Sequence, residues 1–383
     1  MNRLKTTFVS FLFTFVLFTL LMRTGGVAVA SGWGRGAWNI VSSPNVGAAS
    51  QLNGVTALSK SNIWAVGDCS DINNPLQTLI EHWDGARWRV VSRPHVGTFS
   101  QLNAIAAISA HNIWAVGNYS NGSIYQPLIE HWDGMGWSVV SSPSLGTFSQ
   151  LNAIAAISAH NVWAVGYYST SSDTFQGLIE HWDGTNWSII SSPNIGTSSY
   201  MYGIATVSEH NVWAVGDFIN GSTGQTVIKH WDGTNWSIVS SPSVKRSVLL
   251  NIAALSGNNI WAVGYYFNAG IGQTLVEHWD GTNWSVITSP SPGTGVNILY
   301  GLVAVSQSDV WAVGDDLSIG SGNYSVLVEH WNGRRWNIAP GLGLGNSSSL
   351  AGVTQIPHAT QVWAVGYGSN DKNSTRTLTE FHY

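Results

Sequence analysis

The chain has 383 residues, only 9% of them charged, and a formal net charge of −5. With no basic tract to follow a phosphate backbone, nucleic acid is excluded as an expected partner. Cys69 is the single cysteine, which excludes an intramolecular disulfide and leaves stability to packing.

In chain order, Arg3 and Lys5, an apolar run from Phe8 to Met22 and Ala28-Val29-Ala30 predict a secretory signal peptide over residues 1–30, cut after Ala30. The apolar run has 15 residues, short for a bilayer span. Retention as an uncleaved anchor is the alternative reading. No later segment is long and apolar enough to cross a bilayer, so no stable membrane insertion is expected once the leader is removed. Loss of Arg3, Lys5 and Arg23 takes the formal net charge from −5 to about −8. The expected location is secreted or extracytoplasmic, in the cell envelope, where Cys69 is either a half-buried bystander or a thiol that pairs between chains.

From Trp33 onward the chain repeats. All 21 tryptophans fall into two phrases, each present seven times. One is Trp-Ala-Val-Gly, starting at Trp64, Trp114, Trp163, Trp213, Trp261, Trp311 and Trp363, with successive copies 50, 49, 50, 48, 50 and 52 residues apart. The other is a pair of tryptophans five apart, as in Trp83/Trp88 and Trp182/Trp187. A fixed period of this length means a repeat architecture. The mature length alone suggests two or more domains, but the unbroken period argues for one domain over 31–383.

Within one unit, Leu151–Ile157 is a short apolar run followed by a polar turn. Val162–Tyr168 is rich in β-branched and aromatic residues and reads as a second strand. A loop of Ser, Thr and Asp precedes a third strand, Leu178–Trp182. Asp183-Gly184-Thr185-Asn186 is a tight hairpin turn, and Trp187–Ser191 is a fourth strand stopped by Pro193. Seven units of four strands without helical periodicity predict an all-β, seven-bladed β-propeller with four-stranded antiparallel blades. A parallel β-helix is the structural rival, but its coils are usually shorter and lack three tight turns per unit. In Trp-Ala-Val-Gly, Trp and Val point one way, Ala and Gly the other, so a knob on one face meets a flat surface on the next blade. The first fragment (from Trp33 to Pro44) matches a hairpin turn and fourth strand; the last, 377–383, matches a third strand. Together they supply one missing unit, so the ring is expected to close by pairing Trp38–Ser43 with Leu378–Tyr383, removing open edges.

The phrases Val/Ile-Trp-Ala-Val-Gly and His-Trp-Asp-Gly-x-x-Trp resemble those of secreted bacterial seven-bladed propellers with degenerate BNR or Asp-box-like repeats, across residues 33–383. The chain is also distantly similar to the propellers that help assemble photosystem II. Its Asp-Gly-x-x-Trp spacing is one residue shorter than an Asp box, and His stands where that box opens with Ser or Thr. The resemblance therefore implies a fold and little about activity, since Asp boxes mark blade geometry.

Glu81-His82-Trp83-Asp84 and its copies place two acids and an imidazole together, as a catalytic site would. An active site, however, is a single asymmetric constellation, and this phrase recurs in nearly every blade. Neighbouring strand residues face apart, Lys229 replaces one Glu, and Asn332 replaces one Asp. Structural roles in turns and between strands are expected. His95, His111, His160, His210, His358 and His382 lack metal-ligand spacing, and loop acids show no EF-hand-like pattern for calcium. No cofactor and no metal are expected. A sialidase-like site lacks its arginine cluster, and a copper-radical site would need more than Cys69.

The first-to-second and third-to-fourth strand turns should share one nearly constant rim. The second-to-third strand loops, such as 118–126, 167–176 and 217–225, should share the other and differ in every unit. Their Asn, Ser, Gly and Tyr suit adaptable recognition, and aromatic rings with amides suit sugars. Tyr125, Asp173, Phe175, Asn220, Asn268, Asp316, Tyr324 and Asn370 are the candidate ligand-binding residues, with no catalytic residue among them. The expected function is a non-catalytic binding or scaffold propeller for a cell-envelope glycan or another exported protein. The alternative is a glycoside hydrolase or lyase with its site over the central channel, for which acids unique to adjacent blades would be required; Asp315, Asp316 and Asp217 are the only faint sign of these.

Overall fold

The computed structural model describes residues 36–71, 74–171, 174–242, 244, 246–371 and 374–383; the leader expected over 1–30 and the candidate Asp173 lie outside the described residues. Seven four-stranded antiparallel sheets follow one another, as expected for a seven-bladed propeller. Blades 1 to 6 occupy residues 49–90, 99–139, 149–189, 198–239, 247–286 and 297–339. Blade 7 is composite: Ser347–Gln355, Val362–Asp371 and Ser374–His382 are completed by Trp38–Ile40 from the other end of the chain.

That closure matches the expectation. Trp38 pairs with His382, Asn39 with Phe381 and Ile40 with Glu380. Val41 N donates to the Thr379 carbonyl at 2.9 Å, and Ser43 Oγ donates to Thr377 Oγ1 at 2.6 Å. The Trp38 ring is buried and meets Trp311 of blade 6 edge-on at 5.6 Å, so the latch is fastened to two blades.

The innermost strands adjoin one another around the ring. Asparagines tie them together: Asn53, Asn103 and Asn152 Nδ2 donate across to the carbonyls of Leu102, Leu151 and Met201 at 2.9, 2.7 and 2.8 Å. Blade-to-blade packing follows the alternation of Trp-Ala-Val-Gly. Trp64 and Val66 pack with Leu102, Ile113 and Trp137 of blade 2, while Ala65 turns the other way, toward Trp363 and Val365 of blade 7. The glycine of the phrase has a steric cause. The innermost strand bulges between Leu52 and Gly54, and a Cβ on Gly67 would lie 2.0 Å from the Gln51 carbonyl oxygen. The same clash, at 1.9 Å, would face a Cβ on Gly166.

The two tight turns of each blade share a rim, where Trp83 Nε1 donates to the Lys60 carbonyl at 3.1 Å. The opposite rim differs from expectation in one respect. Segments read as loops are largely paired strand: in blade 4, pairing runs from Asp217↔Thr226 to Asn220↔Thr223 and leaves only 221–222 as the tip. Ladder hydrogen bonds are made by the backbone, so polar side chains that look loop-like leave the ladder intact. The blade-to-blade linkers reach this same rim, because each outermost strand ends there and the next innermost strand begins there.

Candidate functional site at the channel mouth

The constant rim is a set of satisfied turns. Asn62 Oδ1 accepts hydrogen bonds from Trp64 Nε1 at 2.8 Å and pairs with His82 Nε2 at 2.9 Å, and the imidazole lies over the Trp64 ring with centroids 4.3 Å apart. Asp84 Oδ1 accepts the Ala86 and Arg87 amides, both at 3.0 Å. Blade 3 repeats the arrangement through His181–Asn161 at 3.0 Å and Asp183 with Thr185 and Asn186. Burial holds the His82 and His181 imidazoles below their usual pKa, favouring the neutral ring. The structural roles expected for His and Asp are those observed.

The preceding Glu faces the opposite way, into the interface between blades. Glu81, Glu130, Glu180, Glu277, Glu329 and Glu380 are fully buried, and desolvation lifts them to about 8, or about 7 for Glu277. Ser142 Oγ lies 2.8 Å from a Glu180 carboxyl oxygen, and Ser241 Oγ lies 2.8 Å from Glu277. Lys229 occupies the equivalent place in blade 4, with Nζ donating to Ser192 Oγ at 2.9 Å. Its Nζ lies beside Gly177, where an added Cβ would come within 3.5 Å.

The predicted site residues separate into groups. Tyr125 and Phe175 both touch Phe148, at 5.2 and 6.0 Å. From there a continuous arc of rings crosses blades 2 to 4: Phe99, Tyr125, Phe148, Tyr167 and Phe175, then Tyr200 and Tyr202, with neighbouring centroids 4.9–6.3 Å apart. Tyr324 and Asp316 lie half-buried on blade 6. Asn220, Asn268 and Asn370 are exposed at the strand tips of blades 4, 5 and 7, apart from the arc and from one another.

Of a second set of residues only Asp217 and Asp315 stood out in the sequence, as a faint sign of an enzymatic site. The position after Trp-Ala-Val-Gly holds Asp68, Asn118, Tyr167, Asp217, Tyr265, Asp315 and Tyr367 in blades 1 to 7. It lies beside the channel at its variable-rim end, opposite residues of the innermost strand such as Gln51 and Tyr200. In blade 1, Asp68 Oδ2 accepts from Gln51 Nε2 at 3.0 Å and Asn53 Nδ2 at 3.1 Å. In blade 4, Asp217 is 7% exposed and its Oδ1 has no hydrogen-bond partner. Desolvation raises it to about 7, against a hydrogen bond from Tyr202. Burial first, with the nearby Asp217 charge adding to it, raises the phenols of Tyr167, Tyr200, Tyr202 and Tyr265, Tyr265 to about 12. Asp315, also raised to about 7 by burial, stands in the same relation to Tyr300, Tyr324 and Tyr367. Asp316, next along the strand, is only half-buried, so the two adjacent acids occupy different surroundings. The available signal was the exchange of Asp, Asn and Tyr at one repeat position; it was obscured because that position looks like the start of a loop.

Two shallow surface depressions follow the outer strands, one lined by Arg93, Trp132, Met135 and Trp137, the other by Phe218, Gln225 and Ile238. Among the described residues no His, Cys, Asp and Glu group could hold a metal ion, and no helix is long and apolar enough to cross a membrane.

Fold and rim together define a seven-bladed β-propeller with one uniform and one asymmetric face. No family model and no curated protein sequence matches the chain. Solved structures do. YCF48 bound to a D1 peptide superposes with a TM-score of 0.56 at 15% identity, covering 92% of this chain and 98% of that one. YCF48 from Cyanidioschyzon merolae gives 0.55 at 15%, covering 90% and 99%. A PL25 ulvan lyase bound to a GlcA(1-4)Rha3S saccharide gives 0.52 at 10%, covering 90% and 97%. At such identities the likeness establishes the propeller fold alone.

Proposed function

We propose that this protein is an exported, non-catalytic binding propeller that recognises another exported protein or a cell-envelope glycan across its variable rim. The observation that carries the reading is the aromatic arc from Phe99 to Tyr202, contiguous over three blades, beside an acid–phenol cluster at the channel mouth. Large rings held rigidly by their neighbours offer contact area at low entropic cost. The export element rests on the leader motif at residues 1–30, and the kinship to BNR-like secreted propellers on the repeated phrases. The neighbouring structures contain a peptide in one case and a saccharide in another, which is compatible with either ligand on a shared scaffold.

The test is a screen of the mature protein against a glycan array and against peptides tiled from co-exported proteins. Hits should be weakened by Phe175→Ala. Turnover of a polysaccharide, with new chain ends that depend on Asp217 or Asp315, would replace this reading with the enzymatic one. Mass analysis of the protein from the extracytoplasmic fraction checks for a start at Ser31.

A further inference from the structure

We propose that the phenol-lined side of the channel mouth is a receptor for a lysine or arginine side chain, with Asp217 as the counter-charge. The inference rests on the binding reading above and narrows it to a polypeptide segment. Two observations carry it independently. The first is geometric: Tyr200 of the innermost strand stands in register with Asp217, its ring lies 4.9 Å from that of Tyr167 in blade 3 and 6.3 Å from that of Tyr202, and Tyr265 holds the position of Asp217 in blade 5. Aromatic faces attract cations through their ring quadrupole, and most strongly where water is thinned. The second is the acid itself, 7% exposed with Oδ1 unpartnered. A buried carboxyl oxygen left without a partner is costly.

The comparison with Asp68 sharpens the assignment. At the same repeat position, that acid already receives two amide donors, from Gln51 and Asn53. Tyr200 and Tyr202 replace those amides in blade 4, so Asp217 keeps an open oxygen facing rings. The recess also selects the ligand. A guanidinium or ammonium on a slender aliphatic stem can reach a recessed acid between rings, whereas an amino sugar carries its amine on a bulky pyranose. The ionisable groups facing Asp217 are those four phenols. Arg246, in the linker between blades 4 and 5, is exposed, and Lys245 beside it lies outside the described residues.

The experiment titrates the mature protein by calorimetry with Nα-acetyl-lysine N-methylamide and its norleucine counterpart, which lacks only the amine. The lysine compound should bind and the norleucine compound should not. With Asp217 near 7, its ionised fraction falls about tenfold between pH 8 and pH 6, so lysine affinity should fall roughly tenfold. Asp217→Asn should abolish both the binding and its pH dependence while the melting temperature stays close to that of the parent. Asp68→Asn should leave both intact. Tyr265→Leu, which removes one ring and no charge, should weaken binding severalfold and covers the case in which the Asp217 variant folds poorly. Equal binding of the norleucine compound, unchanged binding in the Asp217 or Tyr265 variants, or glucosamine binding as well as lysine would each overturn the assignment. If a screened peptide or glycan binds the rim without competing with the lysine compound, this assignment fails and the broader binding reading stands.

Discussion

The two rims of the ring apply the same repeat to opposite ends. On the constant rim, His82 and its copies lean on Trp and share an Asn oxygen, Asp84 and its copies hold turn amides, and blade after blade gives the same answer. At the channel mouth the residue after Trp-Ala-Val-Gly changes from Asp to Asn to Tyr, and acids at 217 and 315 retain an oxygen without a partner. On the constant rim the repeated turn contacts mark the scaffold; at the channel mouth the repeat is broken, and an acid left with an unpartnered oxygen there marks a place where something else is expected to bind. The mouth is itself divided. Blades 1 to 3 line it with Gln51/Asn53, Gln101/Asn103 and Gln150/Asn152, and blades 4 and 6 contribute Tyr200, Tyr202 and Tyr300. The asparagines clamp neighbouring blades and the glutamines bond within their own blade, whereas half-buried phenols take the place of these amides in blades 4 and 6.

The largest expected effect lies between the rims, in the buried Glu layer. These carboxyls have folded-state pKa values near 8, above the ordinary value of 4.5, so the fold binds protons more readily than the unfolded chain. Their stability contribution is complete below about pH 4.5 and is lost as pH rises through about 8. Lys229, lowered to about 8, acts in the opposite direction: its penalty is relieved as pH rises from about 8 toward 10.5. One lysine against six carboxyls leaves the net sign unchanged. The melting temperature should therefore be highest near pH 5, fall to about pH 8 and level off beyond it as Lys229 comes into play, and Glu180→Gln should flatten the slope. A flat profile would show that the layer is relieved by solvent and does not belong to the scaffold.

Deleting residues 36–44 should come next. It removes a buried Trp38, a strand pairing and the bonds to Thr377, and it reopens an edge. Loss of a buried tryptophan alone costs about 3–5 kcal/mol. Thermal denaturation of the truncated chain checks this, and an unchanged midpoint would mean that the latch is ornamental. Smaller still, His181→Ala removes the bond to Asn161 and the stack on Trp163, centroids 4.2 Å apart. About 1–3 kcal/mol of stability should go, with rim binding untouched; loss of binding at full stability would erase the contrast between the rims.

How far the sequence reached depends on the distance over which its signals act. Blade number, strand number, the latch and the knob-and-flat packing are written in local periodicity and in the two terminal fragments. The Gly67 requirement was legible as a repeated glycine, though its cause, a bulge on the neighbouring strand, was not. The acid–phenol cluster was hidden for a different reason. Tyr167, Tyr200, Asp217 and Tyr265 come from three blades, and only ring closure and register bring them together. Tyr125 and Phe175 were found because aromatic residues at strand tips stand out among Ser and Gly. Phe148, which joins them, sits in an otherwise repetitive linker and passes as background.

The finest test asks whether that arc is contact surface or merely rim packing. Tyr125, Phe175 and Tyr324 are half-buried, and the first two lie against neighbouring rings. Truncating each to alanine should weaken binding of a screened ligand by on the order of 1 kcal/mol, by analogy with aromatic pairs. Phe175 should matter more than Tyr324, because it touches Phe148, Tyr167 and Tyr200, whereas Tyr324 stands outside the arc. Changes at Thr185-Asn186 and Thr234-Asn235 on the constant rim should leave binding unaltered, since their amides serve the turn acids Asp183 and Asp232. Titration of the ligand against each variant, with the melting temperature followed in parallel, separates the two roles. Variants that lose stability while keeping affinity would make the arc a packing device; the reverse pattern between the rims would move the site to the face whose turn acids already hold backbone amides.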